Sequence, residues 1–479
     1  MPLRTAEEYQ ASLRDGRVVY YRGQRVDDVT THPVIGKAVR HAAIDYELAE
    51  DPETRELATV IDPESGERIS RYYAIPRTAD DLLARSRLIE TSTARGGTLV
   101  VLIKEIGTDA LFALHILSAE MDAKFGTSYR PRVEAFYRYC RDHDLAVAVA
   151  QTDVKGDRSG GPREQAHPDY YLRIVERRPD GIVVRGAKAH TSVTPNANEI
   201  IVLPTRAMRP GDEDYAVAFA VPANAPGLKM IASPYGGFPK NDHEHPVSAR
   251  HKMMETLTIF DDVFVPNERV FLCGETEFAG PLALGFVAFH RFTAVSYKLP
   301  LLDAFVGAAA LMAQYNGIER AGHVREKLIR LITYAETVRG LIHRAAERPQ
   351  LRAGIAVPDP LLTNMAKYTF AHGFHEALRD VQDIAGGLLV TGPAAEDWDN
   401  PETAPYLERY LGTGRVDAQN RMRLMNLISD LTASDFGGYQ AVLAVHAEGS
   451  LEAEKLQIYR AYDFGPAIAY AKRLAGIED

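Results

Sequence analysis

Hydrophobic periodicity changes twice along this chain, and that pattern restricts the fold more than any single motif. Up to about residue 140 the apolar positions recur at helical spacing. The stretch 80–89 opens on Asp80 and Asp81, as a helix N-terminus does, and 110–117 reads as a buried helix. Over about 141–275 the period falls to two. Segments 146–150, 170–175, 182–184, 199–203, 215–221 and 255–260 read as short strands, with Pro179-Asp180-Gly181 as a hairpin turn. Short strands at such spacing predict a small barrel or sandwich. From about 276 the helical spacing returns in long runs, 301–315, 326–346, 361–384 and 421–443, broken at Pro358-Asp359-Pro360 and Gly392-Pro393. Such runs predict a bundle. The expectation is an α+β protein with an N-terminal helical domain (1–140), a central β-barrel domain (141–275) and a C-terminal helical bundle (276–479).

The net charge of -10 argues against a nucleic-acid partner, because gripping phosphates takes a basic field. No window approaches roughly 18 uninterrupted apolar residues, so no membrane span is expected. Residues Met1 to Glu8 lack the apolar core of a signal peptide, and a cytoplasmic location is expected. Cys140 and Cys273 are the only cysteines, too few for a disulfide framework or for the thiolates of an iron–sulfur cluster. His243 and His245 lack a third ligand at a typical spacing, so a solvated loop is favoured there over a metal site. The sequence has no Walker loop, no GxSxG elbow and no Rossmann fingerprint.

Two loops at strand ends stand out. Gly186-Ala187-Lys188-Ala189-His190-Thr191-Ser192 follows a turn and strand, and Gln151-Thr152-Asp153-Val154-Lys155-Gly156-Asp157-Arg158-Ser159 precedes it. Glycines, small hydroxyls and backbone amides at strand ends suit a large, flat, polar-rimmed ligand, with Thr152 and Ser192 offering hydroxyls to its edges. Gly386 and Gly387, lacking side chains, would let a helix N-terminus approach a pyrophosphate, or would simply mark a helix break.

These residues carry a resemblance. Thr152-Asp153 with Gly156-Asp157, Gly186-Ala187-Lys188 with Ser192, Phe260 to Pro266, and Gln382-Asp383-Ile384-Ala385-Gly386-Gly387 resemble the seams of the acyl-CoA dehydrogenase fold. Within it, Arg177 to His190, Asn267 to Cys273, Phe289-His290-Arg291, Gly307 to Ala310 and Tyr315-Asn316-Gly317 are similar to the group uniting 4-hydroxybutyryl-CoA dehydratase with 4-hydroxyphenylacetate 3-hydroxylase, the dehydratase branch being nearer. The resemblance implies FAD, with Thr152, Asp153, Lys188 and Ser192 on its near side. It implies that Gln382, Gly386 and Gly387 meet the cofactor of a neighbouring subunit in a homotetramer.

The chain departs from both relatives. The dehydratase branch holds a four-iron cluster on three cysteines and a histidine; His290 matches the histidine, while Val101, Glu105 and Tyr297 stand at the cysteine positions. An aliphatic, a carboxylate and a phenol make a poor substitute for thiolates. No iron–sulfur cluster and no other metal is expected. The hydroxylase branch sets an arginine, a tyrosine and a histidine near the flavin, and their places are Ile106, Ala110 and Val149. His290, Arg291 and Lys298 remain on one helical pattern, with His290 and Lys298 on roughly the same face. Glu255 and Glu105 are candidate bases whose pKa a dry pocket would raise, or partners of nearby cations; His290 is a candidate proton donor or a structural histidine.

The expectation that follows from the resemblance is a flavin-dependent oxidoreductase, most of all a two-component monooxygenase acting on a small aromatic or acyl substrate and fed reduced flavin by a separate reductase. Alternatives are a cluster-free lyase or isomerase acting on a CoA thioester, and a non-catalytic scaffold.

Overall fold

The computed structural model describes residues 3–477. Its central strands form two sheets. The six-stranded sheet has the spatial order Gln24–Arg25, Val19–Tyr21, Leu228–Ala232, Glu255–Pro266, Gly181–Ser192, Arg173–Arg178. The four-stranded sheet runs Val270–Cys273, Val217–Pro222, Glu199–Val202, Val147–Ala150. The sheets meet where Phe219 and Phe260 pack edge to face with ring centroids 5.8 Å apart. The hairpin at Pro179-Asp180-Gly181 forms, with Arg178 opposite Gly181.

The N-terminal region is less uniformly helical than its periodicity predicts. Val19–Tyr21 joins the large sheet, pairing in parallel with Leu228–Ala232 so that Val19 faces Met230. Thr59–Ile61 and Arg68–Ser70 form a further hairpin. Three-residue strands are too short to register a period of two. The run 421–443 is likewise two helices, Ala418–Thr432 and Asp435–His446, because Ser434 accepts hydrogen bonds from the amides of Phe436 and Gly437 and caps a new start.

The bundle is built on the 41-residue helix Thr276–Asn316, which ends at Gly317 with φ +71°. It packs against Ala79–Arg95, Glu105–Phe125, Gly322–Glu347 and Pro360–Ala385. Among the described residues it alone is long and apolar enough to cross a membrane, but 56% of its most apolar window is buried in the protein, as in a core helix. Helix Glu105–Phe125 is nearly all buried and leans on the small sheet: a Cβ added at Gly107 would lie 2.5 Å from Val147 Cβ. Gly107→Ala is therefore expected to destabilise the protein by about 1–3 kcal/mol, read as a lower denaturant midpoint.

Candidate active site

The two strand-end loops are tied together from inside. Lys188 Nζ lies 2.8 Å from Asp153 Oδ1, and both side chains are 2% exposed. Lys188 also donates to the carbonyls of Gln151 and Leu203, while Asp153 accepts from the amide of Leu172 and the hydroxyl of Thr205. Both residues are expected from the sequence to contact a cofactor. Their charged groups instead face each other, because a buried charge needs a partner; they shape the loop and offer no charge at its surface. Thr152 differs. Its carbonyl accepts from the amide of Ala189, and its half-buried hydroxyl takes no partner among the described residues.

Beside this loop the strand Glu255–Pro266 starts opposite Ser192. The Ser192 hydroxyl lies 3.0 Å from both carboxylate oxygens of Glu255, and the Tyr439 hydroxyl donates to one of them at 2.7 Å. Tyr439 stacks on Tyr235 with centroids 4.2 Å apart, and Lys252 Nζ sits 3.6 Å above the Tyr235 ring. Burial raises the Glu255 carboxyl, the bonds from Tyr439 and Ser192 and the charge of Lys252 oppose it, and the balance is a pKa of about 7. Burial brings Lys252 down to about 8. In Tyr439→Phe the carboxylate loses a donor, so the Glu255 titration is expected to move alkaline by roughly one pH unit, followed by its infrared carboxyl band.

On the long helix, His290 and Lys298 each answer to a different partner. His290 Nδ1 is 3.2 Å from Asp109 Oδ2, and Phe286 stacks on its ring at 5.0 Å. Lys298 Nζ is 2.8 Å from Glu448 Oε2; Tyr297 donates to the other oxygen, and Lys367 Nζ approaches to 3.5 Å. Arg291 binds the carbonyl of Glu448 and the side chain of Asn364. Burial lowers Lys298 to about 8. Burial alone would raise Glu448, but the charges of Lys298 and Lys367 outweigh it and hold the carboxyl at about 2. Glu448 sits in a turn with φ +59°, followed by Gly449 at +117°. Sequence reasoning missed Asp109, Tyr439 and Glu448; only Gly449 signals that turn.

Glu105 is placed otherwise than expected. It is fully buried, it accepts from the amide of Lys104, and burial raises its carboxyl above the ordinary carboxylate range. Burial and then the Glu105 charge hold Asp45 well above the ordinary carboxylate range. Burial pushes both carboxyls toward the protonated form, and Glu105 lies in the core rather than at an open site. Val101 is also fully buried. With Tyr297 turned to Glu448, the donor set around His290 does not fit an iron–sulfur cluster.

Gln382 donates to the carbonyl of Thr432, and Gly386 and Gly387 are exposed, with nothing within 4 Å of an added Cβ. Within one chain they line no part of the strand-end site. His243 packs near Trp398 and His245 faces Asp430 at 3.3 Å, so the two rings serve different neighbours.

The buried carboxyls, lysines and histidine gather where the helix bundle meets a strand end of an acyl-CoA dehydrogenase-like fold, and proteins similar to this chain in sequence are enzymes. The chain belongs to the 4-hydroxyphenylacetate 3-hydroxylase family: the family model for the N-terminal part matches residues 5–272 and that for the C-terminal part residues 279–476. It is 35% identical to 4-hydroxybutyryl-CoA dehydratase/vinylacetyl-CoA-Δ-isomerase of Clostridium aminobutyricum, over 99% of this chain and 100% of that one. An oxygen-tolerant archaeal 4-hydroxybutyryl-CoA dehydratase from N. maritimus superposes with a TM-score of 0.93 at 33% identity, covering 100% of this chain and 96% of that one. The oxygenase component of 4-hydroxyphenylacetate 3-monooxygenase complexed with FAD superposes with a TM-score of 0.90 at 31% identity, covering 99% and 98%.

Proposed function

We propose that this protein is an FAD-dependent oxidoreductase, the oxygenase component of a two-component monooxygenase acting on a small aromatic or acyl substrate. The observation that carries the choice is the donor set around His290. Both branches of the family are near relatives, but Val101, Glu105 and Tyr297 cannot hold the cluster that the dehydratase resemblance implies, which leaves the cluster-free chemistry. The residues present suit a flavin: the free hydroxyl of Thr152 and the hydroxyl of Ser192 can meet the edges of a planar ring. Bound in reduced form, FAD supplies the two electrons by which dioxygen gives one atom to the substrate and the other to water.

The chain's own groups then manage protons. Glu255, near neutrality, holds or releases one at the strand end beside Ser192. Lys298 and Tyr297, anchored on Glu448, fix the wall carrying His290. The exposed Gly386 and Gly387 support a homotetramer in which they serve a neighbour's cofactor. Two unpaired cysteines suit a cytoplasmic enzyme supplied by a separate flavin reductase.

The likeness to the dehydratases favours a second reading, a cluster-free lyase or isomerase on a CoA thioester in which Glu255 shuttles a proton. Gel filtration of the protein mixed with FAD tests the shared part of both readings: flavin absorbance should travel with the protein. Protein from which no flavin is recovered after reoxidation, whichever redox state of FAD it was mixed with, rejects both in favour of a scaffold.

A further inference from the structure

We propose that Asp109 is a positioning residue. It holds His290 in the tautomer with its proton on Nδ1, so that Nε2 presents a lone pair and accepts a hydrogen bond from a hydroxyl-bearing substrate. The acceptor role rests on the flavoenzyme reading above; the tautomer does not.

Asp109 is fully buried, and its two oxygens are differently engaged. Oδ1 lies 2.8 Å from Arg85 Nη2 and accepts the Thr293 hydroxyl at 3.0 Å. Arg85 is itself fixed by the carbonyls of Tyr72 and Glu105 and by the Thr108 hydroxyl. Oδ2 has one partner among the described residues, His290 Nδ1 at 3.2 Å. A carboxylate can only accept, so the ring nitrogen facing it must carry the proton. Phe286, nearly parallel to the imidazole at 11°, opposes a ring turn. Nε2 takes no bond from any described residue, and the side chain keeps 10% exposure. Arg85 already answers the charge of Asp109, so the bond to Nδ1 serves to orient the ring. The open nitrogen of that imidazole accepts, which reverses the donor role the sequence suggests for His290. A phenol or alcohol fits such a nitrogen; a group with no proton to give does not.

Nuclear magnetic resonance of protein labelled at the histidine ring nitrogens tests this at roughly pH 8, above the ordinary imidazole range. Subtracting the His290→Asn spectrum isolates the His290 signals. The wild type should carry the proton on Nδ1. In Asp109→Asn the new amide can donate to Nδ1, and the proton should move to Nε2. That exchange should lower kcat on a hydroxylated substrate on the order of 10²–10⁴-fold, with KM little changed. Thr293→Val, which touches Asp109 but not His290, should leave the tautomer as it is. A wild type protonated on Nε2 or on both nitrogens overturns the proposal, and this spectrum decides even where Asp109→Asn fails to fold. A folded Asp109→Asn that keeps its proton on Nδ1 also overturns it. A tautomer that exchanges while kcat stays unchanged overturns the acceptor role alone.

Discussion

Glu448→Ala is expected to destabilise the protein by about 3–5 kcal/mol, the cost of removing one member of a buried ion network. The substitution strands Lys298, Lys367 and the Tyr297 hydroxyl, all of which converge on this carboxylate. The side chains of Glu448 and Lys367 are 2% and 0% exposed, so solvent cannot take its place without rearrangement. The pH dependence carries the same signature. The Glu448 carboxyl is depressed from 4.5 to about 2 in the folded protein. Its contribution is thus fully present above about 4.5 and is lost as pH falls toward 2. Acid unfolding should lose that dependence in the variant. Denaturant midpoints for wild type and Glu448→Ala that agree within about 1 kcal/mol would show that the network adds little stability.

Glu255→Gln is expected to lower turnover on the order of 10²–10⁴-fold and to abolish a rate limb near neutrality. The carboxyl is raised from 4.5 to about 7. Acting as a base, it gives a rate that climbs as pH rises through about 7. The stability effect has the opposite sense to that of Glu448. Folding favours protonated Glu255, so its contribution falls as pH rises from 4.5 toward about 7. A neutral glutamine at this position should leave stability at pH 7 unchanged or improved, which separates lost chemistry from lost fold. A Glu255→Gln enzyme that keeps the wild-type pH profile places the proton elsewhere.

The parts of this structure that were readable in sequence are local. The strand Glu255–Pro266, the loop through Gly186 to Ser192 and the helix carrying His290 and Lys298 each follow from spacing within a short window. What was not readable is who meets whom. Glu105 looks like an open carboxylate until Asp45, sixty residues earlier, is folded against it. Asp153 and Lys188 look like ligand contacts until an isolated bridge sets them side by side. Tyr439 and Glu448 come from opposite ends of one helix and its following turn, and nothing in their own neighbourhoods points to Glu255 or Lys298. Buried polar pairing is a long-range property, and periodicity carries no record of it.

Oxygen isotope incorporation tests the proposed function most directly. The protein is loaded with reduced FAD and given small phenols under ¹⁸O₂, and the products are analysed by mass spectrometry. The monooxygenase reading predicts one ¹⁸O atom in the hydroxylated product. Products without ¹⁸O, together with anaerobic conversion of a 4-hydroxyacyl-CoA thioester to its unsaturated form, would contradict it and place the chain with the dehydratases in activity as well as in sequence.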